Sequence, residues 1–590
     1  MTDQIQLRKA QDHTFITSDG IELFYRHWSS LNEEENEQKA IILFHRGHEH
    51  SGRLQHIVDE LNLTDTHMFA WDARGHGLSP GQRGYSPSIG RSVQDIDEFV
   101  RFIAEQYHIP YKNIIVLGQS VGAVLVATWI HDYAPKIRGM ILASPAFKVK
   151  LYVPFAKLGI RLWQKLKGGF YINSYVKAKF LTHDPERARS YDNDQLISRA
   201  IASNVLLDLY DTSKRIVADS AAITLPTQLL ISGEDYVVHH RPQFQFYEHL
   251  RSTIKEQHIL SDFYHDTLGE KDRTIAFEKI NAFIQALYAQ ERIDFDYQHE
   301  DRWSPSADTY RVLLAQLPKF SPKAIYYRMF GVGLKYVGKL SKGVQIGLDT
   351  GFDSGSTLDY VYQNNPQGKN KLGTFIDTQY LNSPGWTGIR QRKEHLEQYI
   401  KQAIELLSQE NKAVHIVDIA AGHGRYVLDA VQHDPRVQSV LFRDYSELNI
   451  RLGQEMIAMR ELTERASFVH GNAFDEEDLA AITPKPNLAI VSGLYELFAD
   501  NALLNASLKG LARAVEADGY LIYTNQPWHP QQELIARGLT SHRQGEAWVM
   551  RVRSQAEMDY LVAQAGFEKQ TQLIDQWGIF SVSIAKRVVK

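Results

Sequence analysis

The sequence predicts an α/β protein built as two units in tandem, each a mostly parallel sheet covered by helices, and three observations carry the prediction. Short apolar runs alternate with helix-spaced segments along most of the 590 residues, the pattern of a parallel sheet. One such run, Asn113 to Leu117, passes through Gly118-Gln119-Ser120-Val121-Gly122 into helix-compatible spacing up to Trp129. A second, Val414 to Ile419, carries Asp418 and passes through Ala420-Ala421-Gly422-His423-Gly424 into another helix-spaced segment. The length exceeds one core, and roughly 100 to 200 residues per domain calls for three or four modules.

Composition narrows the class. Apolar residues make up 43% and charged residues 23%, and the net charge of −5 gives no global reason to expect nucleic acid as a partner. The absence of cysteine removes disulfides, thiolate metal sites and cysteine nucleophiles, and suits a reducing compartment. No metal site is expected. The first residues, MTDQIQLRKAQDHTF, lack the apolar core of a secretory signal, and no run of about 18 apolar residues could span a bilayer. A cytoplasmic protein is expected, its oligomeric state open.

In chain order, residues 13–28 read as a hairpin turning at Ser18-Asp19-Gly20. Ala40 to Phe44 is a strand that runs into the loop His45 to Arg53, which can offer backbone N–H groups. Met68 to Asp72 is the next strand, and helix-like spacing from Ser92 to Tyr107 leads to the run before Ser120. There, two glycines relieve crowding so that Ser120 can occupy a strained turn with its hydroxyl exposed, which makes it a nucleophile candidate; the bland alternative is a small-residue turn. A late strand from Pro226 ends in Glu234 and Asp235, and another from His258 ends in His265.

The motifs HRGHEHSGR (45–53), DARGHGLSPG (72–81) and GQSVG (118–122), in that order, resemble the monoacylglycerol lipase and lysophospholipase group of α/β-hydrolases, which is serine aminopeptidase-like. The resemblance implies an α/β-hydrolase domain over residues 1–292 and a triad of Ser120, Asp235 and His265 in the chain order of that fold. In such a triad the histidine takes the serine proton and returns it to the leaving group, while the acid fixes the imidazole tautomer. Glu234, in the same turn as Asp235, stands as the alternative acid. The implied oxyanion hole is the N–H of Val121 with that of Gly47. Arg46 departs from the family's usual glycine after the loop histidine. A helical cap is implied over about 148–220. From Tyr133 to His183 there is no acid, while Lys136, Arg138, Lys148, Lys150, Lys157, Arg161, Lys165, Lys167, Lys177 and Lys179 interleave with aromatic and aliphatic residues such as Tyr152, Phe155 and Trp163. Such a stretch is either a solvated cap face or a lid touching an anionic lipid surface.

After Leu287 the polar run ERIDFDYQHEDRWSPSAD marks a boundary, and residues 293–345 read as a linker. It holds a second acid-free stretch, Thr309 to Leu348, in which Arg328, Lys335, Lys339 and Lys342 share one side of a helical wheel. Gly331, Gly333 and Gly338 weaken that helix by about 1 kcal/mol each relative to alanine.

Beyond the linker, the strand with Asp418, the strand Ser439 to Asp444, and the strand end Phe468-Val-His-Gly-Asn472-Ala473 resemble class I methyltransferases that bind S-adenosylmethionine, in a Rossmann-like domain over 346–590 with an N-terminal extension. The resemblance implies that Asp418, Gly422 and Gly424 shape the methionine pocket, with Ala420 where the first glycine usually stands. It further implies that Asp444 binds the ribose and that Asn472 with Ala473 meets the adenine. Tyr495, Glu496 and His529 are candidates to orient or deprotonate an acceptor, or simply core and capping residues. A nucleotide dehydrogenase, sharing the first strand and acid, would favour a tighter glycine fingerprint.

Together these readings predict a bifunctional enzyme: an ester hydrolase acting on a monoacyl glycerolipid or lysophospholipid, and an S-adenosylmethionine-dependent methyltransferase of unknown acceptor, with peripheral contact to an anionic membrane. The alternatives are a thioesterase or acyltransferase using the same triad, or a cofactor-binding half that regulates or tethers the esterase without transferring anything.

Overall fold

The computed structural model describes residues 7–32, 38–151, 156–174, 176–543 and 545–588. The cap residues Tyr152 and Phe155 lie outside them. The chain forms two compact units, Met1–Phe295 and Asp296–Lys590. The three or four modules expected from length are thus two larger ones, since α/β folds routinely exceed the average domain size.

The first unit has an eight-stranded sheet of β1 (Gln11–Ile16), β2 (Glu22–Trp28), β3 (Lys39–Phe44), β4 (Thr66–Trp71), β5 (Ile114–Gln119), β6 (Gly139–Ala143), β9 (Thr227–Ser232) and β10 (Lys255–Leu260), with β7 (Tyr171–Asn173) and β8 (Ala200–Ala202) paired separately. Its order is β1-β2-β4-β3-β5-β6-β9-β10, antiparallel at β1-β2-β4 and parallel from there on. Every residue of β5 is buried, because helices cover both faces of this central strand. Leu54, Ile57, Val58 and Leu61 join Ala276, Phe277, Ile280 and Phe283 of the helix Thr274–Tyr288 against Ile41, Leu43, Ile115 and Leu117 of the sheet. Between β6 and β9 the chain makes the helices Ala156–Lys167, Pro185–Asn193 and Ser203–Ala218 around the β7–β8 pair.

The second unit has a seven-stranded sheet of β11 (Val414–Ile419), β12 (Val437–Asp444), β13 (Ala466–His470), β14 (Leu488–Val491), β15 (Tyr520–Asn525), β16 (Phe567–Ile574) and β17 (Ser581–Arg587). The order is β13-β12-β11-β14-β15-β17-β16, parallel as far as β15 and antiparallel in the last two pairings. Strand order reverses between β11 and β14, and the loops leaving those carboxyl ends splay apart, which opens a crevice there. The helix Pro384–Gln409 lies on the sheet through Ile389, Leu396, Ile400, Ala403 and Leu407, and Arg392 falls on the same buried face.

The stretch 293–345 is not a linker here. It folds into the helices Glu300–Trp303, Pro305–Leu314 and Pro322–Tyr336 and the start of Lys342–Thr350, all within the second unit. The buried Arg551 guanidinium donates to the Glu300 carbonyl at 2.8 Å, the Asn501 N–H donates to the Asp301 carboxylate at 3.1 Å, and Leu313 packs on Ala536 and Val549. Its polar composition misleads because much of its anchoring is through polar and backbone groups. Nor is the basic stripe continuous. The helix closes at Tyr336, Lys339 sits in a 3-10 turn, and Lys342 opens the next helix behind the Ser341 cap. Among the described residues no helix is long and apolar enough to cross a membrane.

Candidate functional sites

At the end of β5, Ser120 takes φ 55° and ψ −114°, a conformation costly for a residue with a Cβ. Its neighbours must be glycine: a Cβ on Gly118 would lie 2.8 Å from the Ala123 Cα, and one on Gly122 would lie 2.5 Å from the His45 and Phe44 carbonyl oxygens. The turn places the Ser120 Oγ 2.8 Å from His265 Nε2, and His265 Nδ1 lies 2.7 Å from Asp235 Oδ2. The carboxylate accepts, so Nδ1 carries the proton and Nε2 presents its lone pair to the serine hydroxyl. Burial alone would raise the Asp235 carboxyl, but His265 and the N–H groups of Val237 and Val238 hold it below the usual carboxylate range. Glu234 makes no such bond; its own N–H donates to the Phe263 carbonyl.

Val121 opens the helix Val121–Tyr133, so its N–H has no acceptor within the helix. A Cβ on Gly47 would stand 3.0 Å from Val121 Cγ2, which puts the β3 loop against the Val121 side chain. His45 holds this loop: its Nδ1 donates to the Arg46 carbonyl at 2.8 Å, and its Nε2 accepts from the Ala73 N–H at 3.0 Å. Arg46, the departure from the family pattern, is buried and turns into a charge network. It grips Glu49 through two bonds of 2.8 and 2.7 Å and reaches Asp266 at 3.3 Å. Arg53 adds a bond to Glu49 at 2.8 Å and Arg187 one to Asp266 at 3.0 Å, while Gln119 donates to Asp266 at 3.1 Å. Sequence reasoning missed Glu49, Arg187 and Asp266. The available signal was an acid inside an otherwise basic motif and another beside the histidine.

In the second unit a cleft of about 980 Å³ opens at the carboxyl ends of β11, β12 and β14. Ala420, Gly422, Gly424, Asp444, Asn472 and Ala473 all border it. Asp418 does not. It is fully buried, accepts from the Tyr426 hydroxyl at 2.7 Å, and burial pushes its carboxyl well above the usual range. Ala420, Gly422 and Gly424 all have left-handed φ, of 56°, 60° and 73°, and the alanine bears strain that a glycine would not. A Cβ on Gly424 would strike the Phe442 ring at 2.7 Å, whereas one on Gly422 meets nothing nearer than 3.5 Å, leaving backbone exposed to the cleft. Asp444 accepts from Gly422 N–H at 2.9 Å, from Ser446 N–H at 2.9 Å and from Asn449 Nδ2 at 3.1 Å. A carboxylate has about four lone-pair sites, so it keeps room for a further donor. The Asn472 side chain accepts from Phe474 N–H at 3.0 Å, shaping its own turn.

Arg392 borders this cleft and also a smaller neighbouring cavity of about 190 Å³, to which Glu496 and His529 belong. Arg392 was not foreseen, although an arginine on the apolar stripe of a long helix is a legible signal. Burial raises the Glu496 carboxyl despite Arg392, whose Nη1 is 3.5 Å away. Burial lowers His529 to about 4, and its Nδ1 accepts from Gln531 N–H at 3.1 Å. Tyr495 borders neither space: its hydroxyl meets Ser507 Oγ at 3.0 Å within the core. Among the described residues no group of acids and histidines is arranged to hold a metal ion.

Residues 280–587 match the family described as "Putative methyltransferase", and residues 35–272 match the family "Serine aminopeptidase, S33". The uncharacterized protein YnbC of Escherichia coli (strain K12) is 61% identical over 576 residues, which cover 98% of this chain and 98% of that protein. The chain belongs to this methyltransferase family and carries an S33-type hydrolase unit ahead of it. The monoacylglycerol lipase of Mycolicibacterium smegmatis is 22% identical over 275 residues, 46% of this chain and 96% of that protein. The crystal structure of Paleococcus ferrophilus monoacylglycerol lipase aligns with a TM-score of 0.41 at 21% identity, over 45% of this chain and 99% of that one.

Proposed function

We propose that the chain is a two-activity enzyme, in which the first unit hydrolyses the ester of a monoacyl glycerolipid or lysophospholipid and the second is an S-adenosylmethionine-dependent methyltransferase. The observation that carries the first half is the relay from Ser120 Oγ through His265 to Asp235, at 2.8 and 2.7 Å. In this reading Ser120 attacks the ester carbonyl as His265 Nε2 takes its proton. The N–H groups of Val121 and Gly47 stabilise the oxyanion, and His265 then passes the proton to the departing alcohol. Water, activated by the same imidazole, releases the fatty acid. Relatives named monoacylglycerol lipase and monoglyceride lipase favour a monoacyl glycerol ester.

For the second half, the support is a roomy cleft at a strand-order reversal, walled by a glycine turn and Asp444. These residues fit S-adenosylmethionine: Asp444 would take ribose hydroxyls, Asn472 and Ala473 would border the adenine, and the Ala420 to Gly424 backbone with Arg392 would receive the amino-acid end. Bound there, the cofactor supplies an electrophilic methyl group. Contact with an anionic membrane is part of the same proposal. It is supported by the helix Pro322–Tyr336, where Tyr326, Met329, Val332 and Tyr336 are exposed beside Arg328 and Lys335.

The test is one preparation assayed twice. Ser120→Ala should abolish p-nitrophenyl ester cleavage and fluorophosphonate labelling, while calorimetric titration with S-adenosylmethionine stays unchanged. Labelling that persists in the variant would place the nucleophile elsewhere, and absence of any cofactor heat in the wild type would remove the methyltransferase reading.

A further inference from the structure

The cavity of about 190 Å³ beside the cleft has two properties that belong together. Its walls are largely aromatic and aliphatic, with Phe352, Trp386 and Phe580 among them, and the Trp386 and Trp548 rings lie stacked at 6.0 Å and 23°. Five polar atoms of residues lining it are buried and meet no hydrogen-bond partner: Tyr380 Oη, Arg392 Nε, Glu496 Oε2, Gln526 Nε2 and Trp548 Nε1. An unpaired buried polar group is costly, so five around one cavity mark a place where a ligand supplies the missing bonds.

The set of atoms defines what that ligand carries. Arg392 Nε, Gln526 Nε2 and Trp548 Nε1 are donors, Glu496 Oε2 is a carboxyl acceptor and the Tyr380 hydroxyl can be either, and a ligand hydroxyl, which both donates and accepts, answers both kinds at once. A carboxylate ligand would answer only the donors and would set its charge against Glu496. Arg392 Nη1 lies 3.5 Å from Glu496 Oε1, so the polar wall is of mixed character and not a site of one sign. Size defines the rest. An apolar cavity of about 150 Å³ takes benzene, so this one accommodates one ring with a few substituent atoms and not a lipid chain. Flat aromatic walls suit a flat ring.

We propose that this cavity binds a small neutral aromatic compound bearing a hydroxyl group, held by Glu496, Gln526 and Trp548, as the acceptor for the adjoining cleft. The word acceptor rests on the methyltransferase reading; the binding site does not. Asp353, Leu358, Arg392, Gly493 and Leu497 border both spaces, so a ring seated in the cavity faces the cleft.

Isothermal calorimetry on the full chain without cofactor tests it, with p-cresol as the probe and benzoate as the charged comparator. Saturable p-cresol binding is expected, tighter than that of benzoate. Its Kd should rise about tenfold in Glu496→Gln and about threefold in Trp548→Phe, with circular dichroism unchanged. No saturable p-cresol heat, tighter binding of benzoate, or an affinity unmoved in both variants overturns the assignment. Titration of S-adenosylmethionine into the same protein separates the two readings. Cofactor binding without p-cresol binding removes the pocket and spares the cleft, and p-cresol binding without cofactor binding keeps the pocket and removes its role as an acceptor site.

Discussion

Asp418 illustrates how far a residue's surroundings can change its work. Its carboxyl is sealed beneath Tyr426, and burial raises it well above its ordinary value. The unfolded chain releases that proton near pH 3.9, whereas the folded chain keeps it. Between those two values the folded state holds one more proton, so stability falls as pH rises through the window, opposite to the usual behaviour of a paired aspartate. Asp418→Asn keeps an oxygen for the Tyr426 hydroxyl and never ionises. Scanning calorimetry without ligand should therefore give equal melting temperatures for variant and wild type at pH 4 and a higher one for the variant at pH 8. Parallel pH profiles would show that the carboxyl ionises normally. Ala420 and Ser120 show the other residue-scale effect, backbone held at positive φ where the chain must turn sharply out of a strand.

At the scale of elements, the hydrolase site is held by a network outside the triad. Arg46 in the loop after β3 meets Glu49 and, through Asp266, joins the loop of His265 to Arg187 in the cap helix Pro185–Asn193 and to Gln119 at the end of β5. Four elements that converge on Ser120 thus share one buried cluster. Removing one member of a buried ion pair costs roughly 3–5 kcal/mol, and Arg53 and Arg187 remain to soften the loss. Arg46→Met should lower the urea midpoint of the first unit by the equivalent of about 3 kcal/mol and reduce kcat for a soluble ester more than it raises KM. An unchanged midpoint would mean that Arg46 is redundant in the cluster. The helix Pro322–Tyr336 makes an element-scale prediction of its own. It has no buried residue, and Arg328, Lys335, Lys339 and Lys342 are all exposed in or beyond it. Each such charge contributes about 1 kcal/mol near an anionic leaflet, screened by salt. Reversing the four charges should release the protein from phosphatidylserine vesicles in a sedimentation assay and spare cleavage of a soluble ester; sedimentation that stays the same would assign this face to another task.

For the whole molecule, the consequence is where the chain can be divided. The contacts of Glu300, Asp301 and Leu313 with Arg551, Asn501, Ala536 and Val549 make residues 296–345 part of the second unit's body. A fragment of 296–590 should unfold in one cooperative transition. One beginning at 346 should melt lower and expose apolar surface to a hydrophobic dye, because the Arg551 guanidinium loses its Glu300 acceptor and Val549 loses its cover. Equal melting temperatures for the two fragments would restore the linker reading. Acid bears on the first unit in the same whole-body way. Burial lowers His27 and His76 to about 3 and His48 and His56 to about 4, so each is neutral when folded and charged when unfolded below pH 6.5. The stability they contribute is present above 6.5 and is lost as pH falls through about 4 for His48 and His56 and about 3 for His27 and His76, so the first unit's melting temperature should drop across that interval.

What the sequence by itself determined follows from local rules. Strand, sharp turn and helix around Ser120, and the same succession around Gly422 and Gly424, are written in contiguous residues, because apolar periodicity and glycine at forbidden angles act over a few positions. The resemblance to the lipase group, with which the chain order agrees, then singled out Asp235 and His265. Only the tertiary structure decided which charges were neutralised, which polar residues were buried, and which side chains from distant helices met. Arg46 in a buried network, Asp418 withdrawn from the cleft, Arg392 between two cavities and a polar stretch that folds into helices all depend on partners tens to hundreds of residues away, which no local pattern encodes.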